Sequence, residues 1–471
     1  MFEITGTYTD QYELAMSQVY FKKGYKDSTA VFDYFFRKLP FNSGYSIFAG
    51  LDDVIDILED LHFNEQDIMF LKKQGFDPGF IDYLQDFSFS GNIYSVLEGD
   101  LVFPTRPVLQ VEADLIEAQI IETLLLNILN FQTLVATKAM RMQQVACGNK
   151  LSDFGLRRAH SLGGYHAARA AIIGGFDSSS NVIAGRDFGL PVTGTMAHSF
   201  IQSYDDELTA FRDFAESHPG NTVLLVDTYD TLKSGIPNAI KVGNEMESKG
   251  NKLKGIRLDS GDLAYLSKKA RKMLDDAGLG YVKIAASNQL DEFVIKSLME
   301  QEAPIDLFGV GTSLVTGQPD AALDGVYKLA FAKGKPRIKL SETIEKTTLP
   351  DRKQVYRLRN DNSDLIGADA VALLKENDFK SMHHPFEPGK SMELEQFKKE
   401  PLLQKVMENG KRVYPKKDIN EIKKYSNTRL KELPFEYKRF ENPHIYKIGI
   451  SDGLREMRDK LINERKKEVK S

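Results

Sequence analysis

The sequence predicts an α/β protein whose central region is built from repeated strand–helix units. Four short apolar runs recur there, and helical patterns fill most of the intervals between them. Alternation at this spacing is typical of parallel strands, and the nearly continuous apolar character indicates strands that are covered on both faces. The spacing fits a closed barrel and an open sheet equally, although no terminal GxGxxG turn supports a dinucleotide-binding sheet. The runs are TVLLVD from Thr222, LKGIRLD from Leu253, YVKIAAS from Tyr281 and IDLFGVG from Ile305.

The residues before this region predict a mixed segment of helices and strands. Residues 9–20 place apolar side chains on one helical face, and residues 30–36 are aromatic and β-branched, as in a strand. Helical spacing returns at residues 50–63. Residues 114–144 predict one long apolar-striped helix, or two helices broken near Asn130.

After about Thr316 the pattern changes to hairpins and charged segments. Residues 327–332 and 337–340, separated by a GKP turn, predict one hairpin. Residues 355–358 and 365–373 predict a second hairpin. The remaining chain is rich in lysine and proline and ends in a charged helix, which we interpret as a solvated face.

The composition excludes several classes of protein. With 471 residues, 42% of them hydrophobic and 27% charged, the chain can bury the core of two or three domains. A net charge of −5 weighs against nucleic acid as the main partner. The single cysteine, Cys147, excludes an intramolecular disulfide, fits a reducing compartment and is expected to be buried. No secretory signal opens the chain, and the most apolar segment, residues 120–129, is too short to cross a bilayer, so we expect a cytoplasmic protein.

Polar side chains gather where each of the four central strands is expected to end. Active sites of β/α barrels and open α/β sheets lie at that edge. One acid after a strand is commonly a helix N-cap, but four polar clusters in succession favour a shared site. The clusters are Asp227, Tyr229 and Asp230; Arg257, Asp259 and Asp262; Ser287 and Asn288; and Gly311 and Thr312.

These clusters differ in the charge that they suit. The clusters Ser287-Asn288 and Gly311-Thr312 consist of small residues, so their backbone N–H groups can point at a phosphate. A lone Gly-x-Gly sequence, however, is commonly only a turn. The acids Asp227, Asp259 and Asp262 suit a divalent cation, the hydroxyls of a sugar or a developing positive charge.

Two further motifs carry candidate functional side chains. His198 in GTMAHSF precedes a helix-like run, and a helix N-terminus favours a neutral imidazole that can act as nucleophile or base. The competing interpretation is a capping or packing histidine. Arg157 and Arg158 in DFGLRRAH suit a phosphate or carboxylate, or else pairing with surface acids. The Asp-Phe-Gly triplet is also found in kinases, but the other kinase motifs are absent.

Long motifs in a fixed order give a more specific indication. They are TDQYELAM, DFGLRRAH, GTMAHSF, VLLVDTYDTLKSG, GIRLDSGDL, KIAASNQLDE and LFGVGTSLVTG. From Thr9 to about Arg357 the chain resembles bacterial nicotinate phosphoribosyltransferases. One departure is Asp351 in TTLPDRKQVYR, where that family usually has glycine.

The resemblance implies an architecture and an assembly. The expected fold is an irregular β/α barrel domain at residues 131–345, an α/β N-terminal domain at residues 1–130 and a mixed C-terminal segment at residues 346–471, partly packing back on the N-terminal domain. A head-to-tail homodimer with a shared active site is also implied. No nucleic acid or membrane partner is expected.

The resemblance further implies a reaction and a set of functional residues. Nicotinate and 5-phosphoribosyl 1-pyrophosphate become nicotinate mononucleotide and pyrophosphate, with Mg²⁺ present and with ATP hydrolysis coupled through a phosphohistidine, as the entry step of NAD salvage. His198 matches the phosphorylated histidine, Asp227 and Asp259 match acids near the ribose, and Asp259 and Asp262 are the expected metal ligands. For the pyridine, Phe154 and the neighbouring subunit's Tyr12 match the residues on its two faces, and Thr195 and Arg257 match residues beside it. Ser287, Asn288, Gly311 and Thr312 match the residues at the 5′-phosphate. The chemistry of its side chain adds Arg157 to the substrate-binding residues.

Relatives that use nicotinamide or quinolinate are the nearest alternatives. A nicotinamide enzyme would need an acid to accept from the carboxamide, and Asp177 in GGFDSSSNV is the nearby candidate. The adjacent hydroxyls, including Ser180, suit a carboxylate better. A quinolinate enzyme must hold two carboxylates and needs no phosphorylatable histidine.

Proteins of other classes fit the sequence less well. A barrel aldolase or isomerase would carry a catalytic lysine or glutamate at a strand end. A non-enzymatic binding protein would not require acids and an arginine at the same edge of the sheet.

Overall fold

The structure is a computed structural model that describes residues 3–343, 346–376, 378–387 and 389–470. Within these residues the chain forms two compact units. The first unit contains the described residues up to Leu134 and from Ala322 onward, and the second contains Val135–Ala321. The domain limits expected after residues 130 and 345 stay a prediction.

The elements are numbered in chain order. The helices are α1 Gln11–Lys22, α2 Leu51–Asp60, α3 Glu65–Lys73, α4 Pro78–Gln85, α5 Leu115–Ile120, α6 Glu122–Val145, α7 Leu162–Ile173, α8 Val182–Phe188, α9 His198–Gln202, α10 Glu207–Ser217, α11 Ile236–Ser248, α12 Leu263–Asp276, α13 Glu292–Glu300, α14 Thr312–Val315, α15 Ile419–Glu432 and α16 Asp452–Lys470. The strands are β1 Thr29–Phe36, β2 Ser46–Ile47, β3 Asn92–Ser95, β4 Leu101–Val102, β5 Leu109–Asp114, β6 Lys150–Asp153, β7 Ser178–Ser179, β8 Val223–Leu225, β9 Gly255–Leu258, β10 Lys283–Ser287, β11 Leu307–Val310, β12 Gly325–Ala332, β13 Lys335–Pro336, β14 Lys353–Arg359, β15 Leu365–Leu373, β16 Ser381–His383, β17 Ser391–Glu393, β18 Lys398–Pro401, β19 Gln404–Glu408, β20 Lys411–Arg412 and β21 Lys447–Ser451. Short 3₁₀ turns occur at Pro40–Asn42 and Phe435–Tyr437, and a π-helical turn at Thr231–Gly235.

The first unit is built from both ends of the chain. Its seven-stranded sheet has the order β13-β12-β1-β5-β3-β19-β20, so that three strands from the N-terminal part form the middle and two strands from the C-terminal part lie on each side of them. The interior strand β1 pairs antiparallel with β5 and β12, and its aromatic side chains Phe32, Tyr34 and Phe36 are buried in the core. A second six-stranded sheet, β17-β16-β21-β15-β14-β18, comes wholly from the C-terminal part.

A buried ion-pair network joins these two parts of the first unit. Arg357 has no exposed side-chain area and lies 2.6 Å from Asp100 and 3.2 Å from Asp369. Arg106 pairs with Asp369 at 2.8 Å, and Arg429 with Asp100 at 2.9 Å. Burial alone would raise the pKa of Asp100, but the charges of Arg357 and Arg429 hold it below its usual range. Because a buried charge that loses its partner is strongly destabilising, this network ties the two chain segments to one arrangement.

The second unit contains the predicted parallel sheet. Its six strands have the order β7-β6-β11-β10-β9-β8, and all of its neighbouring pairs are parallel. The four predicted apolar strands are confirmed as β8, β9, β10 and β11, and the predicted intervening helices as α12 and α13. Two additional strands, β6 and β7, were not predicted because KLSD and SS are short and polar. The sheet therefore has the β/α architecture that the sequence indicates.

Three local predictions were wrong. The break in the long helical segment lies at Ile121, where the Thr9 hydroxyl donates to the Ile120 carbonyl, and Asn130 stays within α6. The second strand of the GKP hairpin is Lys335–Pro336 rather than residues 337–340, because positive φ angles at Lys333 and Gly334 make a tight turn directly before it. Cys147, expected to be buried, is exposed.

Asp351 adopts the backbone conformation that glycine favours. Its φ is +64°, in the left-handed region, and aspartate is one of the few other residues that enter this region readily. Its Oδ1 accepts a hydrogen bond from the Arg352 N–H at 2.9 Å, and its own N–H donates to Ala330 at 2.8 Å. The turn thus accommodates the departure from glycine.

No helix in the described residues combines the length and the apolar character that a membrane crossing requires. The longest helix, α6, carries the charged residues Glu122, Lys138 and Arg141 and packs Leu124, Leu125 and Leu129 in the core of the first unit.

A carboxyl group on α1 is buried beside other acids. Glu13 has no exposed area, and the Thr123 hydroxyl lies 2.9 Å from Glu13 Oε1 and 2.8 Å from Asp10 Oδ2. A hydroxyl has one hydrogen to donate, so it satisfies one of the two carboxylates at a time. Burial, together with the charges of Glu122 and Asp10, raises the pKa of Glu13 to about 7.

Because its pKa is higher in the folded than in the unfolded chain, Glu13 should make stability fall with rising pH. Between pH 4.5, its ordinary pKa, and about 7 the folded chain keeps a proton that the unfolded chain has lost. Glu13→Gln should therefore be more stable than the parent above pH 7, by ~1–3 kcal/mol, and lose this advantage toward pH 4.5. Unfolding midpoints measured at pH 5 and pH 8 test this, with the exposed Glu65→Gln as control. An identical pH dependence in the parent and Glu13→Gln would contradict it.

Candidate active site

Several of the candidate side chains predicted from the central strands meet at the carboxyl edge of the second unit's sheet. Arg257 on β9 connects these side chains by hydrogen bonds. Its Nε donates to Ser287 Oγ at 2.9 Å, and its Nη2 donates to Asp259 Oδ1 at 2.8 Å. Its Nη1 donates to Thr195 Oγ1 at 3.2 Å and to the Met196 carbonyl at 3.4 Å. One guanidinium thus binds segments that are more than 90 positions apart in the sequence.

Asp259 is held as a carboxylate within this network. Burial would raise its pKa, but the hydrogen bond from Ser287 and the charge of Arg257 lower it below its ordinary value. Both of these donors contact Oδ1. The other oxygen, Oδ2, faces His198 Nε2 at 3.7 Å.

Asp227 presents a second carboxylate to the same histidine. Its Oδ2 accepts from the Asp259 N–H at 2.8 Å and from Ser260 Oγ at 2.6 Å. Its Oδ1 is buried, has no hydrogen-bond partner among the described residues and lies 4.0 Å from His198 Nε2. A buried carboxylate oxygen in this state is suited to a cation or a charged donor supplied by a ligand.

His198 is the first residue of α9, as the sequence predicted, and its side chain is about 38% exposed. Its Nδ1 lies 3.1 Å from the hydroxyl of Thr228. Sequence reasoning missed Thr228, although it stands between Asp227 and Tyr229 in a motif already selected. This contact fixes the ring so that Nε2 faces the two carboxylates.

The aromatic ring of Phe154 lies beside Arg257. Its N–H donates to the Val310 carbonyl at 2.7 Å, and the Arg257 guanidinium carbon lies 5.5 Å from the ring centroid. The ring packs directly on Gly309, where a Cβ would lie 2.3 Å from it. The absence of a side chain at Gly309 is therefore what permits the ring to lie against β11.

Several predicted acids lie outside this cluster. Asp262 and Asp230 are exposed and cap helical turns, where Asp262 accepts from the Tyr265 N–H at 3.0 Å and Asp230 from the Lys233 N–H at 2.9 Å. Asp177 precedes β7, pairs with Lys150 at 3.2 Å and accepts from the Leu151 N–H. Both of these partners stand at the amino end of β6, whereas Phe154 follows its carboxyl end.

The remaining predicted positions have the following surroundings. Arg157 is exposed on the turn after β6, and Ser180 is half-buried and donates its N–H to the Asp153 carbonyl at 2.8 Å. Asn288 has a φ of +88° directly after β10, and Gly311 precedes α14, which begins at Thr312. Tyr12 is 49% exposed on α1 of the first unit.

Among the residues that the structure describes, no group of three or more histidine, cysteine, aspartate or glutamate side chains is arranged to hold a metal by itself.

Family models match three successive parts of the chain. The nicotinate phosphoribosyltransferase (NAPRTase) N-terminal domain matches residues 7–130, the nicotinate phosphoribosyltransferase (NAPRTase) family matches residues 149–364, and the nicotinate phosphoribosyltransferase C-terminal domain matches residues 352–458.

Known proteins resemble the chain over nearly its whole length. Nicotinate phosphoribosyltransferase of Bacillus subtilis is 45% identical, and the match covers 98% of this chain and 96% of that protein. The crystal structure of human nicotinic acid phosphoribosyltransferase superimposes with a TM-score of 0.86 at 28% identity, covering 96% and 99% of the two chains. The nicotinate-nucleotide pyrophosphorylase of Pyrococcus furiosus gives a TM-score of 0.70 at 26% identity, covering 91% and 95%. By these matches the chain belongs to the nicotinate phosphoribosyltransferase family.

Proposed function

We propose that this chain transfers the phosphoribosyl group of 5-phosphoribosyl 1-pyrophosphate to nicotinate and couples the transfer to ATP hydrolysis through phosphorylation of His198. The ring nitrogen of nicotinate forms a bond to the ribose C1, and the bond from C1 to pyrophosphate breaks. Family membership supports the reaction. The observation that carries its assignment to this rim is the convergence of His198, Asp259 and Arg257.

The two carboxylates suit the ribose and the diphosphate. Phosphoribosyl transfer develops positive charge on the sugar, which Asp227 and Asp259 can stabilise. They also fit Mg²⁺, because Asp227 Oδ1 is buried and unpaired and Asp259 Oδ2 faces the same histidine. Asp262, predicted as a ligand with Asp259, is occupied in capping α12 and fits this role less well. Bound Mg²⁺ would neutralise the charge of the departing pyrophosphate.

The aromatic and cationic side chains suit nicotinate, which is flat and anionic. Phe154 offers a ring face, and Arg257 and Thr195 offer donors beside it. The half-buried Ser180 adds a hydroxyl for the carboxylate. In the homodimer that we propose, Tyr12 of the neighbouring subunit covers the other face of the pyridine.

Small residues at the ends of β10 and β11 suit the 5′-phosphate. Asn288, Gly311 and Thr312 offer backbone N–H groups and a hydroxyl, whereas the hydroxyl of Ser287, predicted for the same phosphate, is bonded to Arg257 and Asp259. Arg157, exposed on the neighbouring turn, adds a cation for an anionic substrate.

Phosphorylation of His198 would use ATP in a separate chemical step. A ring nitrogen attacks the γ-phosphorus, so that a P–N bond forms and the bond to ADP breaks, and water later hydrolyses the P–N bond to phosphate. The added negative charge beside Asp227 and Asp259 would alter the binding of diphosphate and so bias the equilibrium toward nicotinate mononucleotide. We place this reaction in NAD salvage in the cytoplasm.

The position of Asp177 argues against nicotinamide as the substrate. Its carboxylate is bonded to Lys150 and the Leu151 N–H at the amino end of β6, and is thus turned away from Phe154. The hydroxyl-bearing residue on the same loop, Ser180, instead adjoins the carboxyl end of β6. A carboxylate is therefore the better match for the base.

The proposed reaction predicts pyrophosphate release from 5-phosphoribosyl 1-pyrophosphate with nicotinate as the preferred base. Nicotinate, nicotinamide and quinolinate should be supplied side by side with Mg²⁺, and pyrophosphate and mononucleotide quantified. Asp177→Asn should keep the preference for nicotinate. Faster turnover of nicotinamide or quinolinate by the parent enzyme would refute the choice of base.

His198→Ala should abolish ATP coupling while leaving slow, uncoupled phosphoribosyl transfer. The variant lacks the nitrogen that accepts the phosphoryl group, so ADP formation should no longer accompany mononucleotide formation. The ratio of ADP to nicotinate mononucleotide measures this effect, and the exposed His160→Ala is the matched control. Full coupling in His198→Ala would end the phosphohistidine proposal.

Arg257→Ala should weaken nicotinate binding by about tenfold to a hundredfold, which corresponds to the ~1.5–3 kcal/mol of a charge-assisted hydrogen bond. Arg257→Lys keeps the charge but not the planar fork and should recover only part of this loss. Steady-state KM for nicotinate reports the effect. An unchanged KM in the alanine variant would show that Arg257 does not contact the base.

A further inference from the structure

Asp153 is a fully buried acid that joins two parts of the proposed base pocket. It ends β6, and its Oδ1 accepts from the Gly155 N–H at 2.8 Å. Its Oδ2 accepts from Ser179 Oγ at 2.7 Å, and its carbonyl accepts from the Ser180 N–H at 2.8 Å. One residue is therefore bonded both to the turn after β6 and to β7.

These bonds involve the direct chain neighbours of Phe154 and Ser180, which are two of the side chains that we assign to nicotinate. Phe154 lies between Asp153 and Gly155, and Ser180 follows Ser179 directly. The turn is closely packed, because a Cβ on Gly155 would lie 2.0 Å from Val315 Cγ1. The backbone of the turn that carries Phe154 and the backbone of Ser180 are thus both bonded to Asp153.

The surroundings of Asp153 suit the ionised form of its side chain. Each oxygen faces a donor, and the N–H of Gly155 cannot rotate away. Burial raises the pKa of Asp153, and the bonds from Ser179 and Gly155 oppose that rise. Ser179 Oγ in turn accepts from the Asn181 N–H at 3.0 Å, and Asn181 caps α8, so the arrangement extends into the next helix.

We infer that Asp153 is a positioning residue for nicotinate, which fixes the spacing between Phe154 and Ser180 and thereby selects a pyridine that carries a carboxylate. This role rests on the proposed function. Asp153 lies behind the pocket and contacts substrate through neither oxygen, because both oxygens are bonded to the protein.

Two substitutions remove the same bond from opposite sides. Asp153→Asn turns one acceptor into a donor, and Ser179→Ala deletes the donor to Oδ2. Each should raise the KM for nicotinate about tenfold, the effect of one lost hydrogen bond, and leave the KM for 5-phosphoribosyl 1-pyrophosphate within about twofold. The selectivity for nicotinate over nicotinamide should fall in parallel. Because both changes act through one bond, the double variant should resemble the more affected single variant.

Ser178→Ala is the matched control. Its hydroxyl is similarly buried and adjacent, but it donates to Ser152 Oγ at 2.9 Å instead of to Asp153. It should leave both KM values unchanged. If Asp153→Asn does not fold, Ser179→Ala and the control still decide the question.

Three results would overturn the inference: unchanged nicotinate KM in Ser179→Ala, equal increases for both substrates, or an equal effect in Ser178→Ala. The proposed function fails in a different way, when the parent enzyme does not use nicotinate. Nicotinate turnover by the parent with no selective effect in Asp153→Asn or Ser179→Ala would refute the positioning role alone.

Discussion

Parallel hydrogen bonding in the six-stranded sheet of the second unit is the constraint on which the candidate site depends. Parallel strands end at the same edge, so residues that follow β6, β9 and β10 are brought together however far apart they are in sequence. The register pairs Ala285 with Arg257 and with Leu307, which places Ser287 beside Asp259. A shift of one residue would turn each of these side chains to the other face of the sheet.

The charges at this edge are organised by the same backbone. Arg257 stands near the end of its strand and accounts for one oxygen of Asp259, which leaves the other oxygen directed at His198. Asp227, at the end of the neighbouring strand, uses one oxygen to accept the Asp259 N–H and keeps the other unpaired. The result is two half-satisfied carboxylates around one imidazole, an arrangement that costs stability unless a ligand supplies charge and that is therefore typical of functional sites.

The sequence predicted those parts of the protein that repeat a strong pattern. The apolar runs predicted β8 to β11, and the polar residues at their ends predicted Arg257 and Asp259 as neighbours, whereas His198 was predicted from its own motif and from the family resemblance. It could not give β6 and β7, because two-residue and four-residue polar strands carry no periodicity and exist only through their neighbours. Thr228 and Asp153 were missed for a related reason: their roles lie in contacts with residues 30 and 26 positions away, which no local pattern records.

The loop around β7 shows how sequence proximity misleads about chemistry. Asp177 and Ser180 are three residues apart, and at a rise of ~3.3 Å per residue they are separated by roughly 10 Å along an extended chain. One end of this short segment bonds to the start of β6, and the other end bonds to its last residue. In the proposed function, this arrangement keeps the acid away from the base pocket and the hydroxyl near it, although both belong to one motif. We therefore propose that discrimination between an amide and a carboxylate on the pyridine depends on where this two-residue strand begins and ends, and on its anchoring by Asp153.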